Sequence, residues 1–206
     1  MSLVCLHGVP TSPALWSRLG LPLIAPALSG TLAEQVAAVR PLVNSETVLV
    51  GHDMGGVVAA MVALDVRPQR LILTGTALGP YWRMVRATAW PGMWRFFYQR
   101  HGGRRFVAGA VSPENRADAL TTFPGAEARE MRGVARSMCP PAGLAQKLRG
   151  MPVSLLWGSQ DRWYPLAVAR GIARASGADL QFVEGGHFVM WERPEGYAEH
   201  LRRWTG

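Results

Sequence analysis

Short apolar runs punctuate the chain: Leu3–Leu6, Leu23–Ala25, Thr47–Val50, Leu71–Thr74, Val153–Trp157 and Leu180–Val183, each closed by Gly, Pro or a polar residue. Runs of this length and make-up predict buried strands. Between them the apolar spacing becomes helical. Across Thr31–Val43, Leu32, Val36, Val39 and Leu42 share one face, and Thr31 with Glu34 forms a capping box. Met54–Val66, Pro165–Ala175 and Pro194–Trp204 also predict helices, the last two opening on a proline that suits a first turn. Strands that alternate with helices imply an α/β architecture, a mostly parallel sheet covered on both faces.

The alternation breaks once, between the strand ending near Thr74 and the one starting near Val153. Residues 80–149 therefore read as a helical cap inserted into a core made of residues 1–79 and 150–206. The insert carries a stripe of aromatic and Met side chains, among them Trp82, Trp90, Met93, Trp94 and Tyr98, interrupted at Pro91-Gly92. Such a stripe serves packing, and over strand ends it also lines a pocket. The net charge of +8 is concentrated here: Tyr81–Arg149 holds twelve basic and four acidic residues, while the rest of the chain balances at ten of each. A neutral body with a basic insert has two readings: an Arg-biased solvated surface, or a face that meets an anionic group such as a substrate carboxylate. An Arg-rich amphipathic stretch at Trp82–Arg105 is also compatible with a membrane surface. That is the minor alternative. No nucleic-acid partner is expected.

With 206 residues, 49% hydrophobic and 17% charged, the composition fits one globular unit with a sizeable core and excludes disorder as the main state. The 2 cysteines are too few for a disulfide framework, and Met1–Leu6 lacks a basic leader, so the expected location is the cytoplasm. The longest uncharged stretch, Leu19–Ala33, is broken by Gly20, Pro22, Pro26 and Gly30 and cannot span a bilayer as a helix.

Candidate chemistry concentrates in Gly51-His52-Asp53-Met54-Gly55-Gly56, a strand, a tight turn and a helix start with small residues around a reactive one. This is the spacing of a nucleophile elbow, whose turn strains its central residue and lifts the side chain above the sheet edge. Here that residue is Asp53. By itself the pattern also suits phosphate binding or tight packing. Two further polar residues follow later strands, Asp161 in Gly158-Ser-Gln-Asp161 and His187 in Glu184-Gly-Gly-His187. Doubly wound sheets place their sites at these carboxyl ends. The order is nucleophile, acid, histidine, and the backbone N–H groups of Val9 and Met54 complete a candidate oxyanion hole.

With these elements the chain resembles the α/β-hydrolase family, and specifically its aspartate-nucleophile branch, the epoxide hydrolases and haloalkane dehalogenases. Gly-His-Asp-Met-Gly-Gly is similar to the epoxide hydrolase elbow, and His7-Gly-Val-Pro-Thr-Ser12 to a stretch shared by both groups. The resemblance implies Asp53 as nucleophile, His187 as base and Asp161 as the residue orienting it. Typical members begin with two more strands before the His-Gly turn. A reduced α/β-hydrolase sheet of about six strands flanked by helices, with a short helical cap, is therefore expected.

An aspartate is ionised near neutral pH and can attack a saturated carbon without a base, giving an alkyl ester that water activated by His187 then cleaves. Attack on a carboxylic ester would give an anhydride, so epoxides and alkyl halides are the expected electrophiles. The dehalogenases resembled carry Trp after the nucleophile and often Asn in the first turn, where this chain has Met54 and Val9. Epoxide opening needs a proton donor on oxygen, in that family a pair of cap tyrosines. Tyr81 and Tyr98 are the candidates in the insert, with Trp82 and Trp163 as further substrate-binding candidates. An epoxide hydrolase acting on a small molecule is the leading expectation, with an anionic group on that substrate left open beside the reading of the basic insert as a solvated surface. A dehalogenase, or a non-hydrolytic biosynthetic or binding protein on the same fold, is the alternative. No metal-ligand spacing or dinucleotide fingerprint is present, so neither metal nor cofactor is expected.

Overall fold

The computed structural model describes residues 2–76, 78, 83, 87, 90–94, 102–123, 133, 136–137 and 139–205. Five strands, β1 (Ser2–Leu6), β2 (Thr47–His52), β3 (Arg70–Thr74), β4 (Val153–Gly158) and β5 (Asp179–Val183), form one parallel sheet in the order β1-β2-β3-β4-β5. The expected sixth strand, Leu23–Ala25, is reduced to a single parallel bridge between Val4 and Ile24. Pro22 and Pro26 flank that bridge and have no N–H for a ladder, so pairing cannot extend.

Among the described residues, the helices are α1 (Leu32–Val39), α2 (Met54–Val66), α3 (Pro91–Trp94), α4 (Gly102–Ala110), α5 (Arg116–Thr122), α6 (Leu144–Lys147), α7 (Leu166–Ser176), α8 (Val189–Glu192) and α9 (Pro194–Thr205). The capping box forms: Glu34 N donates to Thr31 Oγ1 at 3.3 Å and Thr31 N to Glu34 Oε2 at 2.7 Å. The helix expected over Thr31–Val43 ends at Val39 and tightens into a 3-10 turn, Arg40–Leu42, which leaves Leu42 exposed. Pro41 supplies no N–H to continue the α-helical ladder.

Alternate strand residues divide between two cores, as a period of two requires. Leu6, Leu49, Leu73 and Trp157 pack with side chains of α1, α2, α6 and α7 on one face. Cys5, Val50, Ile72 and Leu156 pack on the other with Trp16, with Val107 and Ala110 of α4, and with α8 and α9. Each large side chain withdrawn from water contributes about 1.5–3 kcal/mol, so the sheet is held from both sides. Phe123, just beyond α5, packs edge-on against Phe188 and Trp191 at 5.5 and 5.7 Å. Among the described residues, no helix is long and apolar enough to cross a membrane.

Candidate active site

Asp53 occupies the turn between β2 and α2 with φ 50° and ψ −120°, backbone territory that costs a non-glycine residue free energy. Neighbouring contacts over-determine it. Thr76 Oγ1 donates to Asp53 O at 2.7 Å, and Asp53 N donates to Thr74 O at 3.2 Å. The first turn of α2 also presses on β1: a Cβ added at Gly55 would lie 2.4 Å from His7 O. A side chain there would push the helix off the strand, which explains the small residue beside Asp53.

Both oxygens of the Asp53 carboxylate have donors. Val9 N donates to Oδ2 at 3.1 Å, and the Met54 amide also hydrogen-bonds the carboxylate. Tyr164 Oη donates to Oδ1 at 3.1 Å. Burial pushes the Asp53 carboxyl above the ordinary range; the nearby His187, the two amides and the Tyr164 hydroxyl oppose this without cancelling it.

Asp161 lies just past β4, where its Oδ1 accepts from Trp163 N and Tyr164 N, each at 2.9 Å. His187 Nδ1 donates to Asp161 Oδ2 at 2.9 Å. This bond places the ring proton on Nδ1 and leaves Nε2 as a lone pair, buried and without a hydrogen-bond partner among the described residues. Burial alone would lower the His187 pKa, but the carboxylates of Asp161, Asp53 and Glu192 outweigh it and hold the imidazole above its usual range. The His187 backbone is fixed as well: its N donates to Ala110 O at 2.7 Å and its O accepts from His52 Nε2 at 3.1 Å.

The structure thus gathers Asp53, Val9, Met54, Asp161 and His187, which are dispersed along the chain. Trp163 stacks on Phe106 of α4 at 4.1 Å, and Phe106 meets His187 edge-on at 6.2 Å. Tyr81, Trp82 and Tyr98 lie outside the described residues. Sequence reasoning passed over Tyr164. Its only signal was its place in the loop after Asp161, where Trp163 is equally prominent. His7 and His52 have structural partners: Leu28 N donates to His7 Nε2 at 3.1 Å, and the His52 ring packs on His187 at 4.5 Å. Among the described residues, no group of three or more His, Cys, Asp or Glu side chains could hold a metal ion.

An elbow aspartate, a histidine and an acid at the carboxyl ends of parallel strands recur on one widespread fold. The sequence profile described as "Alpha/beta hydrolase family" matches residues 3–200. The chain belongs to the alpha/beta hydrolase family. Among curated proteins, no sequence matches it. Solved structures of this fold superpose closely at low identity. An epoxide hydrolase from Bacillus megaterium gives a TM-score of 0.73 at 14% identity, covering 98% of this chain and 92% of that one. A haloalkane dehalogenase from Bradyrhizobium elkani gives 0.69 at 18%, covering 99% and 89%. A thermophilic esterase from Thermogutta terrifontis gives 0.70 at 20%, covering 99% and 89%. Members of the alpha/beta hydrolase family with different chemistries thus share this backbone, so the reaction must be argued from the side chains.

Proposed function

We propose that this hydrolase of the alpha/beta hydrolase family forms a covalent alkyl ester on Asp53 and that its substrate is a small epoxide. One observation carries the reading: the Asp53 carboxylate accepts from the Val9 and Met54 amides, the groups expected to hold an oxyanion, with Val9 N on Oδ2 at 3.1 Å. A serine hydrolase offers those amides to the substrate carbonyl; here the residue's own carboxylate occupies them. The ester carbonyl formed after alkylation lies in the same place. Oδ1 attacks an epoxide carbon, the C–O bond breaks, and the ring oxygen takes a proton from an acid beside Asp53. Water then gives a proton to His187 Nε2 and attacks the ester carbonyl, whose developing charge falls on the two amides. Collapse expels the second alkoxide, which takes the proton from His187 and leaves as the diol, and the Asp53 carboxyl restores the carboxylate by returning its proton to the acid of the first step. In this reading residues 80–149 supply the cap, of which Val107, Ala110 and Phe123 pack into the core. Its arginines favour a substrate that carries an anionic group.

A second reading is dehalogenation, favoured by Trp163: its Nε1 is buried without a hydrogen-bond partner among the described residues, on a ring stacked at 4.1 Å on Phe106. An indole N–H of this kind suits a departing halide.

Mass spectrometry of His187→Gln incubated with epoxides and alkyl halides tests the proposal. Blocking the second step leaves an adduct on the peptide containing Asp53, and its mass identifies the electrophile. A folded variant that accumulates no adduct with any of them refutes the alkyl-ester mechanism.

A further inference from the structure

Building on the alkyl-ester reading, we infer that Tyr164 is the acid that protonates the opening epoxide and then recovers its proton from Asp53. The two oxygens of Asp53 are not equivalent. Oδ2 is held by the Val9 amide, so Oδ1 is the oxygen left to attack, and the Tyr164 hydroxyl stands on it at 3.1 Å. A hydrogen bond to the attacking atom lowers its nucleophilicity. A proton transferred in the same step turns that cost to use.

Tyr164 is placed tightly enough for this role. Its backbone N is held by Asp161 Oδ1 at 2.9 Å, and its backbone O accepts from Trp157 Nε1 at 2.9 Å. Its ring lies 5.4 Å from that of His187. The side chain is therefore buried between the acid, the histidine and the elbow, supported by the sheet core.

The proton balance closes. As Oδ1 bonds to carbon, the epoxide C–O bond breaks and its oxygen takes the Tyr164 proton, leaving a tyrosinate beside a hydroxyalkyl ester. Water loses a proton to His187 and adds to the ester carbonyl. Collapse expels the second alkoxide, which takes the proton from His187, and leaves Asp53 as a carboxylic acid. That acid returns its proton to the tyrosinate along the original hydrogen bond. The sum is epoxide plus water to diol.

The experiment compares two probes, 1,2-epoxyhexane and 1-iodohexane, on His187→Gln with and without Tyr164→Phe, reading the rate of ester formation on Asp53 by mass spectrometry. Iodide leaves without a proton and the epoxide oxygen does not. Tyr164→Phe should slow epoxide alkylation about 100-fold or more, and leave alkylation by 1-iodohexane within about threefold or faster, since Oδ1 loses a hydrogen bond. Retained iodide reactivity also reports that the variant is folded and Asp53 in place. Equal slowing with both probes means that Tyr164 only positions Asp53, and overturns the inference. An unchanged epoxide rate, or esters from the iodide alone in the Tyr164 background, overturns it while leaving Asp53 as nucleophile. No ester from either probe overturns the alkyl-ester reading itself.

Discussion

Glu192 offers the sharpest stability test, because its side chain ties two segments around His187. Its Oε1 accepts from Ser112 N and Ser112 Oγ, each at 2.7 Å, and its Oε2 accepts from Gly186 N at 2.8 Å. The carboxylate is buried and uses both oxygens as acceptors. Glu192→Ala leaves two backbone N–H groups without a partner, each costing about 1–3 kcal/mol. The Ser112 hydroxyl can rotate to another acceptor, and water entering the vacated space recovers part of the loss. A net destabilisation of about 3 kcal/mol is expected, which for a chain of this size lowers Tm by roughly 6–12 °C. Glu192→Gln is the informative companion. An amide has one acceptor oxygen, so its NH2 must face either Ser112 N or Gly186 N, donor against donor, and about half of the alanine loss or more should persist. Urea and thermal unfolding followed by circular dichroism measure both. A glutamine variant as stable as the parent, or an alanine variant within about 0.5 kcal/mol of it, would refute the two-sided acceptor role.

Three further outcomes are expected. Gly75 has φ +47°, and a Cβ there would lie 2.8 Å from His187 Nδ1 and Cε1, so Gly75→Ala should cost about 1–2 kcal/mol in unfolding assays and at least about tenfold in kcat by displacing the imidazole. Because Asp161 raises the His187 pKa, the acid limb of kcat/KM should lie above pH 6.5, the ordinary histidine value, and Asp161→Asn should move what activity remains to lower pH; an unmoved limb in pH–rate profiles argues against this coupling. The Asp53 pKa is raised by burial, so stability is lost as pH rises from the unfolded value of 3.8 through the folded one; Asp53→Asn should abolish turnover yet raise Tm at neutral pH, with the gain fading in acid.

What could be read along the chain was set by local physics. The capping box of Thr31 and Glu34, the apolar runs that became β1 to β5, and the Gly-flanked turn at Asp53 depend on hydrogen bonds and sterics within a few residues. Because parallel strands all end at the same sheet edge, the positions of Asp161 and His187 after late strands already pointed to one site. Other features needed the packed molecule. Ile24 keeps only one bridge because an edge segment between prolines has nothing to extend its ladder. Phe123 and Val107, in a stretch read as part of a cap, pack into the core beneath the sheet, since an apolar side chain packs wherever its segment meets an uncovered face. The choice between Trp163 and Tyr164 was beyond sequence reasoning for the same reason. The two are neighbours in one loop, and which of them reaches Asp53, 111 positions away, depends on how β4 is set relative to β2 across the sheet. Local propensity specifies the elements and the turn that strains Asp53; only the three-dimensional packing of distant segments decides which hydroxyl stands on its carboxylate.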